Sequence, residues 1–457
     1  MRIPQEIFRQ YDVRGLVDDQ LTADLARALG LAYATLAWNR LGRTPRVAVG
    51  RDNRPSGESL AAAVRSGLVA AGAAVVDVGM VPTPALYLAV SLPGTDGGIQ
   101  VTGSHNPPEF NGFKMVLDGG SLHGDDIQEL YRLISENRLR PADGGTEVTD
   151  PTILGRYRDA IIERTRLRRT VRVVVDCGNG VASTVAVSIL RAVGADVIPL
   201  FCESDGTFPN HHPDPTVPEN LKDLQAEVRR TGAELGLAFD GDGDRIGAVD
   251  EGGQIRWGDQ LLVLFGRDAV DRFGAGTPVI YDVKCSDILG RELQRAGANP
   301  VMWKTGHSLI KAKMQEMNAP LAGEMSGHVF FGGDYLGFDD AVFAAARLLE
   351  IVSRAPGGLA PLLADIPTSC TTPEIRVDCP DDRKFEIVDR AAAHFGALHE
   401  INTIDGVRIR YPRGWGLLRA SNTQPVLVLR FEAEDEDLLA SYRGEVTTWL
   451  GEQGVQA

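Results

Sequence analysis

Three stretches of this chain are written in one grammar, and the repetition limits what it can fold into. A short apolar run, VAVG (47–50), leads into the polar loop RDNRPSG and a helix-like stretch ending VAAG at Gly72, followed by AAVVDV. The second copy reads VRVVVD (171–176), CGNG, a stretch ending RAVG at Gly194, then ADVIPL. The third reads PVIYDV (278–283), KCS, a stretch ending QRAG at Gly297, then ANPVMW. β-Branched runs alternating with helices that stop at glycine predict strand–helix–strand units with C′ glycines. Such units build largely parallel sheets covered by helices. The copies lie over a hundred residues apart, so each is a domain rather than a solenoid unit. Each copy later has another apolar run feeding a glycine-rich polar loop: GGIQ-VTGSHNP (97–107), LGLAF-DGDGDR (235–245) and PLA-GEMSGH (320–328). Loops at one corresponding place in three repeats are expected to face a shared cleft.

After Pro367 the grammar changes. A helix pattern near 383–398 and the strand-like VRIRY (407–411) and VLVLRFEAE (426–434) predict a smaller α+β domain, making four. The joints are expected at Arg140–Pro151, Asp250–Gln254 and Ala355–Pro367, which are rich in Gly, Pro or acid. The expected domains are therefore 1–149, 150–252, 253–366 and 367–457. A net charge of −15 argues against a nucleic-acid partner. Five cysteines with no C-x-x-C pair disfavour a zinc module or a disulfide framework. Met1–Tyr11 lacks the apolar run of a signal peptide, and Val78–Thr95, the longest uncharged stretch, is broken by prolines. A cytoplasmic protein with no membrane partner is expected. Glycine, 51 of 457 residues, stands above ordinary usage and predicts many tight loops.

Asp240-Gly-Asp-Gly-Asp-Arg245 sets three carboxylates at alternate positions. Clustered anions call for a cation, and hard oxygen donors suit Mg²⁺ or Ca²⁺. An EF-hand is excluded: Glu251 falls twelfth, but Arg245 occupies the sixth position, where glycine is required, and LGLAF before the loop reads as a strand. Asp-nucleophile phosphatases carry Thr or Val at the fifth position, where this chain has Asp244. Metal binding is the better reading than a solvated acidic turn. Thr102-Gly-Ser-His-Asn-Pro107 sets a hydroxyl beside an imidazole after an apolar run, as a nucleophile or covalent phosphate carrier would need. With no Gly-x-Ser-x-Gly elbow, a hydrolase triad gains no support.

Gly323-Glu-Met-Ser-Gly-His328 offers carboxylate, hydroxyl and imidazole at i, i+2 and i+4. If the segment is extended they share a face, a surface suited to reading sugar hydroxyls. Arg419-Ala-Ser-Asn-Thr-Gln-Pro425 gathers guanidinium, hydroxyl and amide donors that can clamp a phosphate. From Asp405 to Arg430 there are five arginines and one acid, a basic stretch in an acidic chain. Only seven of the 47 basic residues are lysines, yet Lys114 and Lys284 lie beside motif loops. A compact ammonium is expected to matter there. His211-His212 reads as a structural loop, and RTRLRR (164–169) as an exposed helix end.

TGSHNP, DGDGDR, GEMSGH and RASNTQP, in this order over four domains, resemble the α-D-phosphohexomutases. FRQYDVRG (8–15) and KTGH (304–307) fit the same pattern, and Met325 resembles the phosphomannomutase/phosphoglucomutase group, since phosphoglucosamine mutases usually have Gln there. The resemblance implies three related α/β domains with mixed sheets and a C-terminal α+β domain around a central cleft. It implies a phosphoserine at Ser104 and Mg²⁺ held by Asp240, Asp242, Asp244 and Ser104. Arg245 would steady the transferring phosphoryl group, with His105 and Lys114 supplying charge or proton transfer. Glu324, Ser326 and His328 would read the sugar. Arg419, Ser421, Asn422 and Thr423 would clamp the non-reacting phosphate, and Tyr11, Arg14, Lys284 and His307 would line the pocket. The implied reaction interconverts hexose 1-phosphate and hexose 6-phosphate of mannose or glucose through a hexose 1,6-bisphosphate. The rivals are a phosphoglucosamine mutase and a metal-dependent sugar-phosphate phosphohydrolase. The oligomeric state, monomer or dimer, is left open.

Overall fold

The computed structural model describes residues 2–422 and 424–456. Three of its four sheets are built on the same four strands. In the first, β1 (Arg46–Arg51) lies between β2 (Ala74–Met80) and β3 (Gly97–Val101), parallel to both, and β4 (Phe110–Leu117) returns antiparallel to β3. β5 (Arg172–Asp176), β6 (Asp196–Leu200), β7 (Leu235–Phe239) and β8 (Ile246–Asp250) repeat this arrangement. So do β9 (Pro278–Asp282), β10 (Asn299–Trp303), β11 (Leu321–Gly323) and β12 (Val329–Phe331). The repeat read from sequence is thus a repeat of sheet topology. The sheets are mixed rather than largely parallel for a simple reason. A parallel crossover needs about a dozen residues or more, and the segments between the third and fourth strands are shorter, so the chain must return as a hairpin. Gly72, Gly194 and Gly297 have φ of 80°, 107° and 90°, the left-handed conformation expected where a helix ends.

Edges extend the first sheet. Val13–Leu16 pairs antiparallel with β4, and Thr146–Thr149 pairs parallel with β2, so part of the expected joint at Arg140–Pro151 is an exposed strand. Ala355–Pro367 similarly holds a short helix, Ala360–Leu363. Arg169, expected on an exposed helix end, instead grips Glu234 at 2.6 and 2.8 Å and the Ala355 carbonyl at 2.6 Å. His211 lies between Asp176 and the His212 carbonyl, 2.9 Å from each, which fits the structural reading of that loop.

The fourth sheet is antiparallel throughout. It contains β13 (Ile375–Asp378), β14 (Glu400–Asn402), β15 (Val407–Tyr411), β16 (Gly414–Ala420) and β17 (Val426–Ala433), ordered β13-β17-β16-β15-β14. Strand periodicity gives it two faces with different tasks. Leu418 and Ala420 pack with Phe395 and Leu450, which belong to helices Lys384–Gly396 and Glu436–Glu452. Trp415 and Leu417, on the other face, pack against Val283 at the end of β9. Register sets Arg408 and Arg430 on either side of Leu417, on that same face. Arg408 donates to the Val283 carbonyl, to the Cys285 carbonyl at 3.0 Å and to Asp287 at 2.6 Å, with its guanidinium 3.6 Å from the Trp415 ring. Arg430 donates to the Lys284 carbonyl at 2.7 Å. The basic stretch read as a phosphate dock therefore serves in good part as a seat against the third sheet, because alternate β-residues must face it.

One apolar cluster runs from Leu86 and Tyr87 through Val173 and Leu237 to Val279 and Phe343, so the first three units share a core. The C-terminal unit has its own, around Phe395, Leu429 and Trp449. Its joint to the third unit includes an ion pair, Lys284 to Glu374 at 3.2 Å. Lys284 pulls the Glu374 carboxyl from its ordinary 4.5 down to about 2, against the opposing effect of burial. A carboxyl with a lowered folded pKa binds fewer protons in the native state, so it adds stability above about pH 4.5 that is lost as pH falls toward 2. Calorimetric Tm values measured across that window should fall less steeply with acid for Glu374→Gln than for the wild type. Equal slopes would remove this ion pair from the account of the joint.

Candidate functional site

The three motif loops occupy one topological place: each leaves the carboxyl end of a third strand and enters the antiparallel fourth. After β3, Thr102 turns the chain by accepting the Ser104 N–H on its hydroxyl at 2.8 Å. Ser104 itself has φ 50°, a left-handed conformation that costs a non-glycine residue about 1–3 kcal/mol. After β7, Asp240 folds its own loop, because its Oδ1 accepts the N–H groups of Gly243, Asp244 and Arg245 at 3.0–3.1 Å. The two loops meet backbone to backbone. A Cβ on Gly241 would lie 2.3 Å from the Ser104 carbonyl oxygen, so only glycine permits the approach. The third loop joins the second through a bridge between Arg245 and His328 and a hydrogen bond from Ile246 N to the Gly327 carbonyl at 3.0 Å.

At this junction the Ser104 hydroxyl donates to Asp240 Oδ2 at 3.0 Å, with His105 Nδ1 3.2 Å away. Lys114, on β4, donates to Asp242 at 2.7 Å and to Asp244. Thr83 is fully buried and adds its hydroxyl to Asp242 at 2.5 Å. The ligand atoms of Asp240, Asp242 and Asp244 all lie within 4.8 Å of one another. Burial, then Asp244 and Asp242, push the Asp240 carboxyl well above its ordinary range. Burial works against the Lys114 ammonium, but Asp242, Asp244 and Asp240 outweigh it and hold the proton on. His105 goes the other way: desolvation, then Arg245, Arg14 and Lys114, drive it well below 6.5, so the imidazole is neutral at pH 7.

Residues 324–328 form a turn and not the extended segment that the i, i+2, i+4 argument assumed, because Gly327 N donates to the Glu324 carbonyl at 3.0 Å. The three side chains nevertheless converge. Ser326 Oγ is 3.5 Å and His328 Nε2 is 4.0 Å from Glu324 Oε2. Arg245 Nε donates to His328 Nε2 at 2.9 Å, which leaves His328 Nδ1 facing Asp339 at 3.2 Å and Asp244 at 3.5 Å. His307 stacks beside His328, ring centroids 5.8 Å apart. Desolvation and then Lys311 lower its pKa well below 6.5. Arg14 reaches across to Asn106 at 2.9 Å and to Asp12 at 2.6 Å.

The C-terminal loop closes the ring. Arg419 is 5 % exposed and its guanidinium is held by Asp405 at 3.1 Å. Asn422 donates to the Tyr11 hydroxyl at 2.8 Å, and Tyr11 donates to the Thr305 carbonyl at 2.8 Å, linking the first, third and fourth units. Ser421 accepts Gln424 N on its hydroxyl at 3.2 Å. Thr423 lies outside the described residues. Lys284 sits at the rim, its ammonium retained by Glu374 and Asp282 despite burial.

Several residues here carry no mark in the sequence. Thr83, Asp405 and Lys311, which donates to Asp339 at 3.0 Å, reach the site only through tertiary approach. Asp339 lies in GFDD, an acidic pair after glycine that was the one available hint. Lys384 is buried and supports the C-terminal loop by donating to the Ser421 and Gln424 carbonyls at 2.6 and 3.0 Å.

This chain matches four family models in sequence. They are the phosphoglucomutase/phosphomannomutase alpha/beta/alpha domains I, II and III, at residues 5–141, 155–253 and 257–370, and the C-terminal domain, at residues 374–448. A phosphomannomutase/phosphoglucomutase of Pseudomonas aeruginosa is 50 % identical over 439 residues, 96 % of this chain and 94 % of the relative. A phosphoglucomutase of Neisseria gonorrhoeae is 45 % identical over 437 residues, covering 95 % and 94 %. The crystal structure of a phosphoglucomutase/phosphomannomutase family protein from Burkholderia thailandensis superposes with a TM-score of 0.91 at 45 % identity, covering 98 % of each chain. With matching models along nearly its whole length and relatives close to half identical, the chain belongs to the phosphoglucomutase/phosphomannomutase family.

Proposed function

We propose that the chain moves a phosphoryl group between the 1- and 6-positions of a hexose phosphate, with Ser104 as the carrier. The single observation that carries this reading is the hydroxyl of Ser104, 3.0 Å from Asp240 on a loop whose other carboxylates hold a buried ammonium, where the first and second units meet. The family names support mannose and glucose phosphates as substrates. Among the described residues no helix is long and apolar enough to cross a membrane, which is compatible with a cytoplasmic enzyme. Domain limits of 1–149, 150–252, 253–366 and 367–457 remain our division of the chain.

The acidic loop fits Mg²⁺. Asp242 Oδ1 and Asp244 Oδ1 are buried with no hydrogen-bond partner, and the three carboxylates supply hard oxygen donors against a single ammonium. Asp240, Asp242 and Asp244, with an oxygen on Ser104, would hold it, and when bound it neutralises phosphoryl charge. The chain's own residues do the rest. Arg245, kept charged by Asp214, Asp240 and Asp244 against burial, faces the transferring group from the metal loop. Lys114, hydrogen-bonded to Asp242 and Asp244, supplies charge or takes part in proton transfer. The neutral His105 can exchange a proton with the adjacent Ser104 oxygen as the phosphoryl group leaves and returns. Glu324, Ser326 and His328 read sugar hydroxyls, with His307, Tyr11, Arg14 and Lys284 around them. Arg419, Ser421 and Asn422, with Thr423 beside them, grip the phosphate that is not reacting. The hexose 1,6-bisphosphate made in the first transfer turns end for end and returns its other phosphoryl group to Ser104. A clamp on the separately cored C-terminal unit suits that turn, since it can hold either phosphate.

Intact-mass analysis should find one phosphoryl group on the wild type after treatment with hexose 1,6-bisphosphate and none on Ser104→Ala, whose turnover should be abolished. In parallel, glucose and mannose 1-phosphates should be converted faster than glucosamine 1-phosphate. The reverse ranking would favour a phosphoglucosamine mutase, and steady release of inorganic phosphate without 6-phosphate product would make the enzyme a phosphohydrolase. Arg419→Ala removes a charge-assisted fork, so KM for hexose 1-phosphate should rise roughly 10- to 100-fold with a smaller change in kcat. Initial-rate kinetics giving an unchanged KM would take Arg419 out of the clamp.

A further inference from the structure

The loop that presents Ser104 is held from beneath by a guanidinium that the transfer reading does not use. Arg54 is 1 % exposed, and all five of its N–H groups are engaged. Its Nε donates to Asp52 at 3.1 Å. One terminal nitrogen donates to the Ser104 and Asn106 carbonyls at 2.7 and 2.6 Å, the other to the Phe110 carbonyl at 2.9 Å and the Pro107 carbonyl. Four of the five bonds thus end on the backbone of a single segment, residues 104–110. Asp52 completes the fixture from the other side. Its Oδ2 accepts the Thr102 hydroxyl at 2.7 Å and Gly103 N–H at 3.2 Å, while Oδ1 accepts Arg54 N–H at 3.1 Å. The fit is close: a Cβ on Gly103 would lie 2.5 Å from the Arg54 guanidinium carbon.

The fixture is also tied to the unit that carries the acidic loop. The Phe208 ring lies 5.1 Å from the Arg54 guanidinium, and Asn53 donates to the Asn179 carbonyl at 2.7 Å. The left-handed Ser104 has every reason to relax, since its φ of 50° is unfavourable for a residue with a Cβ. Its carbonyl is gripped by Arg54 and abuts Gly241, and its hydroxyl lies 3.0 Å from Asp240 and 3.2 Å from His105 Nδ1.

We propose that Arg54, oriented by Asp52, is the positioning residue that keeps Ser104 in its strained conformation and its Oγ aligned for phosphoryl transfer. The proposal rests on the reading of Ser104 as the carrier. A planar fork with five directed donors meets four carbonyls at once; an ammonium with three donors cannot replace it. Misplacement of a reacting atom by about 1 Å costs on the order of 10²-fold in rate.

Arg54→Lys keeps the charge and removes the fork. In the variant, kcat should fall at least roughly tenfold while KM for hexose 1-phosphate stays within about threefold, because the sugar and phosphate contacts lie on other loops. Amide hydrogen exchange followed by mass spectrometry should be roughly tenfold faster in peptides spanning residues 102–111 and unchanged in β16 and β17. A kcat within twofold of the wild type, or unaltered exchange at 102–111, overturns the proposal. If the wild type itself transfers no phosphoryl group, the functional reading fails, and the exchange arm still decides whether Arg54 holds the loop. Should Arg54→Lys fail to fold, Thr102→Val removes the hydroxyl shared by Asp52 and Ser104 N–H. It should move kcat and exchange in the same direction by a few fold, and no movement in either counts against the proposal.

Discussion

Everything in the cleft depends on one ammonium being delivered between two carboxylates of another unit. Asp240, Asp242 and Asp244 are fully buried, and three such anions cannot share a dry pocket without cations. Lys114 comes from β4 of the first sheet and reaches both Asp242 and Asp244 on the loop after β7 of the second. This contact neutralises part of the acidic loop and fixes the first unit against the second. A flexible four-carbon stem ending in a compact charge can thread into that gap, where a planar guanidinium would not. The scarcity of lysine elsewhere in the chain is consistent with a position that needs this residue type.

The contrast between shared and separate cores follows from the same economy of contacts. The first three units bury apolar surface in common, so their loops meet at fixed distances. The C-terminal unit is seated differently, through a small apolar contact of Trp415 and Leu417 with Val283, arginine donors to main-chain carbonyls, and an ion pair. Such a joint depends on directed bonds from buried side chains, Arg408 and Arg430 being 5 % and 4 % exposed. The loops of Ser104 and Asp240 thus sit where the first three units share a core, while the loop of Arg419 sits on the separately cored unit.

The sequence disclosed what is local and concealed what is made by distant approach. A strand, a glycine-rich turn and the residue types inside it lie within a dozen positions of one another, so the loops of Ser104, Asp240 and Glu324 were readable together with the repeat that aligns them. The extended reading of 324–328 failed because register between β11 and β12 forces a turn there. The basic stretch was legible as charge but not as direction. Only the pairing of β15, β16 and β17 shows that Arg408 and Arg430 flank Leu417 on the face toward the third unit, and only the tertiary fold brings Asp405 to Arg419. Thr83 and Lys311 were invisible, since nothing within their own segments distinguishes them from ordinary polar positions, and Asp339 had only the faint mark of GFDD. Arg54 lies in the polar loop RDNRPSG, where no local pattern marks it out, because its partners are carbonyls some fifty residues further along the chain.

Part of the glycine excess reflects left-handed turns and helix ends, such as Gly72, Gly194 and Gly297, and part reflects how closely the units approach. Ser104 and the acidic loop touch through main-chain atoms at Gly241, where any side chain would collide with the Ser104 carbonyl. Across the cleft, a Cβ on Gly306 would lie 2.5 Å from the Tyr11 ring, the same ring whose hydroxyl links the third and fourth units. Charged side chains can swing by several ångströms, and a site built from them alone would have that tolerance. Contacts made by the backbone itself do not swing, and a productive constellation has to be held to within about 0.5 Å. The long polar side chains of this cleft supply charge and directed bonds, and the main-chain contacts at glycine limit how far the loops they hold can shift.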